Sequence, residues 1–282
     1  MSKGAAEFSS TPIERVRDYW DRRPCNIRHS PLPVGTREYF EQVEERKYLV
    51  EPHIPAFADF PAWSGKRVLE IGCGIGTDTM NFARAGAEVT AADLSGESIA
   101  VARQRAEIFG LSDRVTFANC DAETMEDVPE EPKFDLVYSF GVIHHTPHPG
   151  RVLEAARRRM KPGSTLKIMV YNRRSWKVGG IVIKYGKGRF WMADRLIADN
   201  SEAETGCPVT FSYTRASVRP LVEAAGFRVD EVFVDHIFPY RVKDYTQYRY
   251  VKGLAFRWLP TPVMRALEHR LGWHLMVTAT AV

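Results

Sequence analysis

The chain has 282 residues, 44% of them hydrophobic and 26% charged, which describes one large globular domain or one domain with substantial insertions. With 20 Gly and 17 Pro it is neither collagenous nor of low complexity, and no apolar run nears the roughly 18 residues of a membrane span. A net charge of +4, from 39 basic and 35 acidic residues, is too mild to announce a nucleic-acid binder. Met1–Ser10 has no basic stretch leading into an apolar one, so no secretory signal is expected. Cys25, Cys73, Cys120 and Cys207 lack C-x-x-C spacing. A cytoplasmic protein without a structural metal is the expectation.

In chain order, residues 1–64 read as an N-terminal extension and the alternation of strands and helices then begins. Lys66–Ile71 is a short apolar strand ending in a glycine turn, Asp78–Gly86 a helix, Ala87–Asp93 a second strand. Gly96–Gly110 places Ile99, Ala102, Ala106 and Phe109 on one helical face, and Arg114–Cys120 is a third strand. Lys133–Phe140 is nearly continuous in apolar residues, as a strand buried on both faces should be. The helix Gly150–Met160 stops at Lys161-Pro162-Gly163, followed by strand five over Ser164–Tyr171. A helix over Thr214–Gly226, a strand over Arg228–Ile237 and an alternating strand over Trp273–Ala281 complete the pattern. Such repeats require parallel strands with right-handed crossovers, hence an α/β, doubly wound, mostly parallel sheet. Residues 65–282 form this domain, with insertions at 172–213 and 238–270 that are aromatic- and arginine-rich and read as caps over the strand ends.

The loop Gly72-Cys73-Gly74-Ile75-Gly76 has G-x-G-x-G spacing, not the G-x-G-x-x-G of a dinucleotide pyrophosphate site. Glu70 beside it is an awkward neighbour for a phosphate and a good one for a cation, so an amino-acid moiety suits the loop. Asp93 ends strand two, where a carboxylate can accept both hydroxyls of a ribose; the plain alternative is a turn or helix-capping residue. Asp121 follows strand three and can accept from an adenine amino group.

The ordered motifs V-L-E-I-G-C-G-I-G-T, A-A-D-L-S, C-D-A-E, F-D-L-V-Y-S-F-G-V-I-H-H and M-K-P-G-S-T-L, over roughly residues 66–171, resemble the class I S-adenosylmethionine-dependent methyltransferases, in particular the small-molecule branch with the ubiquinone/menaquinone-type enzymes. The resemblance implies a Rossmann-like seven-stranded sheet whose last strand is antiparallel. It implies S-adenosyl-L-methionine as cofactor, leaving S-adenosyl-L-homocysteine. Glu70, Gly72, Cys73 and Gly74 would hold its methionine part, Asp93 and Leu94 the ribose, Asp121 and Ala122 the adenine, and Ser139 would lie by the sulfonium.

His144 and His145 follow strand four, where an imidazole can take a proton from an attacking nucleophile; a turn-forming pair is the alternative, and alignment alone can carry methyl transfer. Tyr171, which closes strand five at the same edge, is the third catalytic candidate. Tyr19, Arg28 and His29 in the extension, with Asn172 and Arg173 after strand five, could line a pocket for an anionic or polar aromatic substrate, its arginines clamping a carboxylate or phosphate. The alternative is surface packing. Cys25 with Cys207 could hold a soft metalloid, although a buried cysteine as a small hydrophobe is commoner.

Between Phe238 and Arg270 there are seven Lys/Arg against two Asp/Glu, interleaved with Tyr and Trp, a composition suited to a pocket lid, a peripheral membrane contact or RNA. Strand four ends in S-F-G-V, without the N/D-P-P-Y/F of nucleic-acid amino-methylating enzymes or a Pro-Cys nucleophile, so nucleic acid is disfavoured. The expected activity is in-line methyl transfer to an O, N, S or C nucleophile of a small molecule. RNA- or protein-directed methylation and a catalytically silent cofactor-binding module remain alternatives, and nothing in the sequence speaks to oligomeric state.

Overall fold

The structure, a computed structural model, describes residues 7–200 and 207–282. Ahead of the sheet come α1 (Ile13–Asp21), α2 (Arg37–Val50) and α3 (His53–Ala58). The alternating core follows: β1 (Arg67–Ile71), α4 (Thr77–Arg84), β2 (Glu88–Asp93), α5 (Gly96–Ile108), β3 (Val115–Asn119), β4 (Phe134–Phe140), α6 (Pro149–Arg158) and β5 (Met160–Tyr171). Next lie α7 (Trp176–Gly186) and α8 (Ala193–Asn200), then α9 (Arg215–Ala224) and β6 (Phe227–Asp235). Two four-residue helices, α10 (Val242–Tyr245) and α11 (Leu254–Arg257), with α12 (Thr261–Leu271), precede β7 (His274–Ala281).

The seven strands run in the order β3-β2-β1-β4-β5-β7-β6. β1 to β5 are mutually parallel, while β7 inserts antiparallel to both β5 and β6. The strand order reverses between β1 and β4, and in such sheets the crevice beyond the carboxyl ends at that point is where ligands bind. Being antiparallel, β7 brings its first residue to the same edge where β5 and β6 end: His274 pairs with Tyr171 and with Asp235.

One large apolar cluster packs α6 and α9 on one sheet face, around Val152, Leu166, Val222 and Val277. Another covers the opposite face around Met80, Phe82, Tyr138 and Met276, extending to Phe57 and Phe60 of the N-terminal segment and Ile181 of α7. Helix starts are set by short polar caps: Thr36 accepts from the Tyr39 N–H, Ser95 from Ser98 and Ser175 from Val178, while Thr214 and Ser217 form a reciprocal capping box.

One boundary differs from the sequence reading. Lys161-Pro162-Gly163 does not separate helix from strand but lies within β5, which starts at Met160. Phe134 pairs with Met160 and Leu136 with Thr165, so β5 spends five steps where β4 spends two and the surplus residues loop outward, exposed. A proline is accommodated there because no ladder hydrogen bond is asked of it.

Candidate active site

The glycine loop is built by backbone constraint. Gly72 sits at φ +77°, and a Cβ there would fall 2.1 Å from Cγ2 of Val142, so a side chain is excluded by both conformation and space. The N–H groups of Gly72 and Cys73 both donate to the Ala92 carbonyl, at 2.7 and 3.1 Å, drawing the loop over the end of β2. Gly74 N–H donates to Oδ2 of Asp93 at 2.8 Å, and the other carboxylate oxygen accepts from Ser95 N–H at 2.8 Å. Asp93 thus performs the turn role while lining the cavity, and burial raises its pKa.

Glu70 is buried and accepts from the Thr79 hydroxyl at 2.5 Å. Burial, with the nearby charge of Asp78, pushes its carboxyl up to about 8. Asp78 is itself a hub: Lys47 donates to it at 2.7 Å, the Tyr48 hydroxyl at 2.9 Å and the Tyr138 hydroxyl at 3.0 Å. Lys47 and Tyr48 come from α2, so the N-terminal extension reaches under the loop. Asp121 accepts from Glu123 N–H at 2.9 Å, an Asx turn that leaves it on the cavity wall.

A cavity of about 860 Å³ opens over these strand ends. Glu70, Gly72, Cys73, Gly74, Asp93, Leu94, Asp121 and Ala122 all line it. Ser139 does not: it is fully buried, and its hydroxyl donates to the Ile71 carbonyl at 3.0 Å, tying β4 to β1. Side chains alternate along a strand, so its neighbour Phe140 is the one that faces the cavity. The extension and both insertions supply the remaining walls, among them Trp20, Ile181 and Tyr245.

The two histidines after β4 separate. His145 lines the cavity, and its Nδ1–H donates to the Val209 carbonyl at 2.8 Å, so Nε2 is the nitrogen that carries the lone pair in the neutral ring. His144 is fully buried behind it, with neither ring nitrogen hydrogen-bonded among the described residues; burial drives its pKa far down. Its ring packs on Tyr171 at 3.9 Å, and Tyr171, which does line the cavity, packs on Trp273 at 4.0 Å. His144 therefore has no access to a ligand in this cavity.

Of the expected substrate residues only His29 lines this cavity, with Nε2 at 3.3 Å from the Tyr245 hydroxyl; burial holds its pKa at about 3. Tyr19 lines a separate, smaller cavity. Arg28 is exposed and away from the walls. Asn172 is buried, donating to the Gly272 carbonyl at 2.8 Å, and Arg173 pairs with Asp194 at 2.5 Å. No arginine lines the cavity among the described residues, so the arginine clamp is not formed there; its cations are Lys47, Lys177 and Lys184. Cys25 lines the main cavity and Cys207 the smaller one, so they do not make a shared thiol site. Spacing gave no sign of Lys47, or of His53, His236 and His274, which converge from three distant segments. Burial pushes His53 down to about 4 and His236 to about 3.

A doubly wound sheet with its antiparallel β7, and a glycine loop between carboxylates at the switch point, define the Rossmann-like methyltransferase fold. The sequence family described as "Methyltransferase domain" matches residues 63–215, and the chain belongs to it. A ubiquinone biosynthesis O-methyltransferase of Alkalilimnicola ehrlichii is 35% identical over 109 residues, 39% of this chain and 43% of that protein. The chain thus spans under half the length of such curated relatives. Among solved structures, magnesium protoporphyrin IX methyltransferase from Synechocystis with bound SAH superimposes with a TM-score of 0.57 at 15% identity, covering 95% of this chain and 98% of that one. An S-adenosylmethionine dependent methyltransferase from Mesorhizobium loti gives 0.55 at 19% identity, covering 81% and 97%. At such identities the likeness concerns the fold. No helix among the described residues is long and apolar enough to cross a membrane.

Proposed function

We propose that the chain transfers a methyl group from S-adenosyl-L-methionine to a small-molecule acceptor. The reading rests chiefly on one observation: Glu70 and the Gly72–Gly74 backbone at the end of β1, Asp93 at the end of β2 and Asp121 just past β3 line a single cavity, and those three strands are neighbours in that order in the sheet, as a methionine, a ribose and an adenine laid across them would need. The aromatic and histidine wall beyond them, with His145 and Tyr171 among its residues, is the acceptor side. Aligned nucleophile, methyl carbon and sulfur suffice for in-line transfer, and walls drawn from the extension and both insertions keep water out.

Calorimetry with S-adenosylhomocysteine tests the cofactor half. The intact chain should bind one equivalent, and Asp93→Ala should bind at least tenfold more weakly, since a charged hydrogen bond contributes about 1.5–3 kcal/mol and about 1.4 kcal/mol is a factor of ten. Absence of binding in the unaltered chain would defeat the reading. Trideuteromethyl cofactor incubated with fractionated cell extract tests the other half: label in one small-molecule peak supports it, and label in RNA or protein moves the acceptor to a macromolecule.

A second feature bears on where that acceptor is met. Ile183, Phe190 and Trp191 of the first insertion and Leu254 and Trp258 of the second are 62–84% exposed, flanked by Lys184, Lys187, Arg189, Lys252 and Arg257. Trp176 and Phe256, 6.1 Å apart, join the two insertions. Exposed aromatics among basic residues suit an anionic membrane surface. The chain should co-sediment with phosphatidylglycerol vesicles and much less with phosphatidylcholine ones, and Trp191→Ala with Trp258→Ala should cut binding several-fold. Equal recovery with and without vesicles would remove the idea.

A further inference from the structure

We infer that Glu51, His236 and His274 form a binding site for one divalent transition-metal ion of the zinc class on the acceptor side of the cavity. One ligand atom from each side chain lies within 4.8 Å of the others, and all three residues line the cavity. Nε2 of His274 is 3.5 Å from Oε1 of Glu51. In a tetrahedral zinc site, with bonds of about 2.0–2.1 Å, neighbouring ligand atoms stand roughly 3.3 Å apart, so the Glu51–His274 pair is already near that spacing and a side-chain contraction of at most about 1.5 Å would close the set. Two imidazoles and a carboxylate, three ligands with a position left facing the cavity, match borderline divalent ions, not calcium or magnesium, which prefer all-oxygen shells.

The surroundings support the assignment. His274 Nδ1 is 2.9 Å from Nε2 of His53, an orienting partner that turns the other nitrogen of His274 toward Glu51. The His236 and His274 rings pack 4.6 Å apart. His236 holds φ +72°, a backbone conformation rare for a residue with a side chain, and it directs the chain out of β6 at the sheet edge where β7 begins. The charged groups facing the cluster are Lys177, Lys47, Arg265 and Asp235. Lys47 is paired with Asp78 and Arg265 with Asp235, so two of the three cations are neutralised locally.

The test needs no turnover. The full chain, stripped with a chelator and dialysed, is titrated with Co²⁺ and with Zn²⁺, following heat and the visible ligand-field bands of cobalt. One ion per chain is expected, with bands of reduced coordination number, displaced by Zn²⁺. His236→Gln and Glu51→Gln should each weaken binding at least tenfold, His53→Phe by 10- to 100-fold, as loss of an orienting partner does, and His269→Gln, on exposed α12, should leave it unchanged. Glu51 is only partly buried, so Glu51→Gln retains a folded comparison if a histidine variant does not fold. Failure of the unaltered chain to bind cobalt more tightly than Glu51→Gln, or equal loss in His269→Gln, overturns the site. S-adenosylhomocysteine binding, measured separately, reports on the methyltransferase reading, so the two can fail independently.

Discussion

Replacing Glu70 with glutamine should weaken S-adenosylhomocysteine binding roughly 10- to 100-fold, the worth of one charged hydrogen bond of about 1.5–3 kcal/mol, while the melting temperature of the ligand-free chain stays equal or rises. Both halves follow from where the carboxyl sits. It is buried beside Asp78, and these two facts push its pKa up to about 8 against only partial relief from Thr79 and Lys47. The fold therefore favours the protonated form. Its stabilising share is complete below the ordinary value of 4.5 and is lost as pH rises through about 8. Glutamine mimics the neutral form at every pH and can still accept from Thr79, so the empty fold tolerates it. A ligand ammonium, on the proposed reading, requires the ionised form. Affinity of the unaltered chain should then climb from pH 6 to about 8 with proton release on binding, and level off above; Glu70→Gln should show neither. Calorimetry in buffers of different ionisation heat measures the released proton. Glutamine binding as tightly as glutamate, with the same pH profile, would move the ammonium elsewhere.

Arg105→Ala should cost about 3–5 kcal/mol of folding stability, the range found when one member of a buried ion pair is removed. Arg105, on α5, is fully buried. Its guanidinium donates to the Thr77 hydroxyl at 2.7 Å, to Oε2 of Glu44 at 2.8 Å and to the Phe40 carbonyl at 3.2 Å. It therefore joins α5, the first residue of α4 and the N-terminal helix α2 in one contact. Alanine leaves a cavity and strips partners from Thr77 and Phe40. Arg84 pairs with the same Glu44 from the surface side, and Arg84→Ala should change stability by under about 1 kcal/mol. Thermal unfolding of the two variants distinguishes them: the first melts roughly 5–15 °C lower, the second within a few degrees. Similar losses in both would mean that Glu44, not the buried guanidinium, holds α2. Thr77 follows Gly76, so loosening this contact should also reach the glycine loop.

Much of the core was legible because its signals are local. Strand and helix limits from β1 to α6 fall within one or two residues of the sequence reading, since buried parallel strands are continuous apolar runs and glycine punctuates the helices between them. The loop was legible because its G-x-G-x-G spacing is local, although part of what demands glycine at Gly72 is the approach of the distant Val142. Arg105 was not, because a helix face read by hydrophobicity counts an arginine as outward, and only the packing of α2 against α5 buries it.

The acceptor side shows the same division. Ser139 and Phe140 are adjacent in sequence, and His144 and His145 are adjacent and identical. Which of each pair meets the cavity depends on the pleat of β4, and on the return of the first insertion to hydrogen-bond His145 through Val209. The arginines that looked like a clamp are drawn off by local partners, as Arg173 is by Asp194. Sequence by itself determined the alternating sheet, its switch point and the loop with its carboxylates, because each is encoded within a few residues and held by backbone geometry. Tertiary structure alone decided the walls of the cavity and the meeting of Glu51, His236 and His274, because those contacts bring Glu51 to residues 185 and 223 positions further along the chain, through the antiparallel insertion of β7, and no local pattern carries a long-range register.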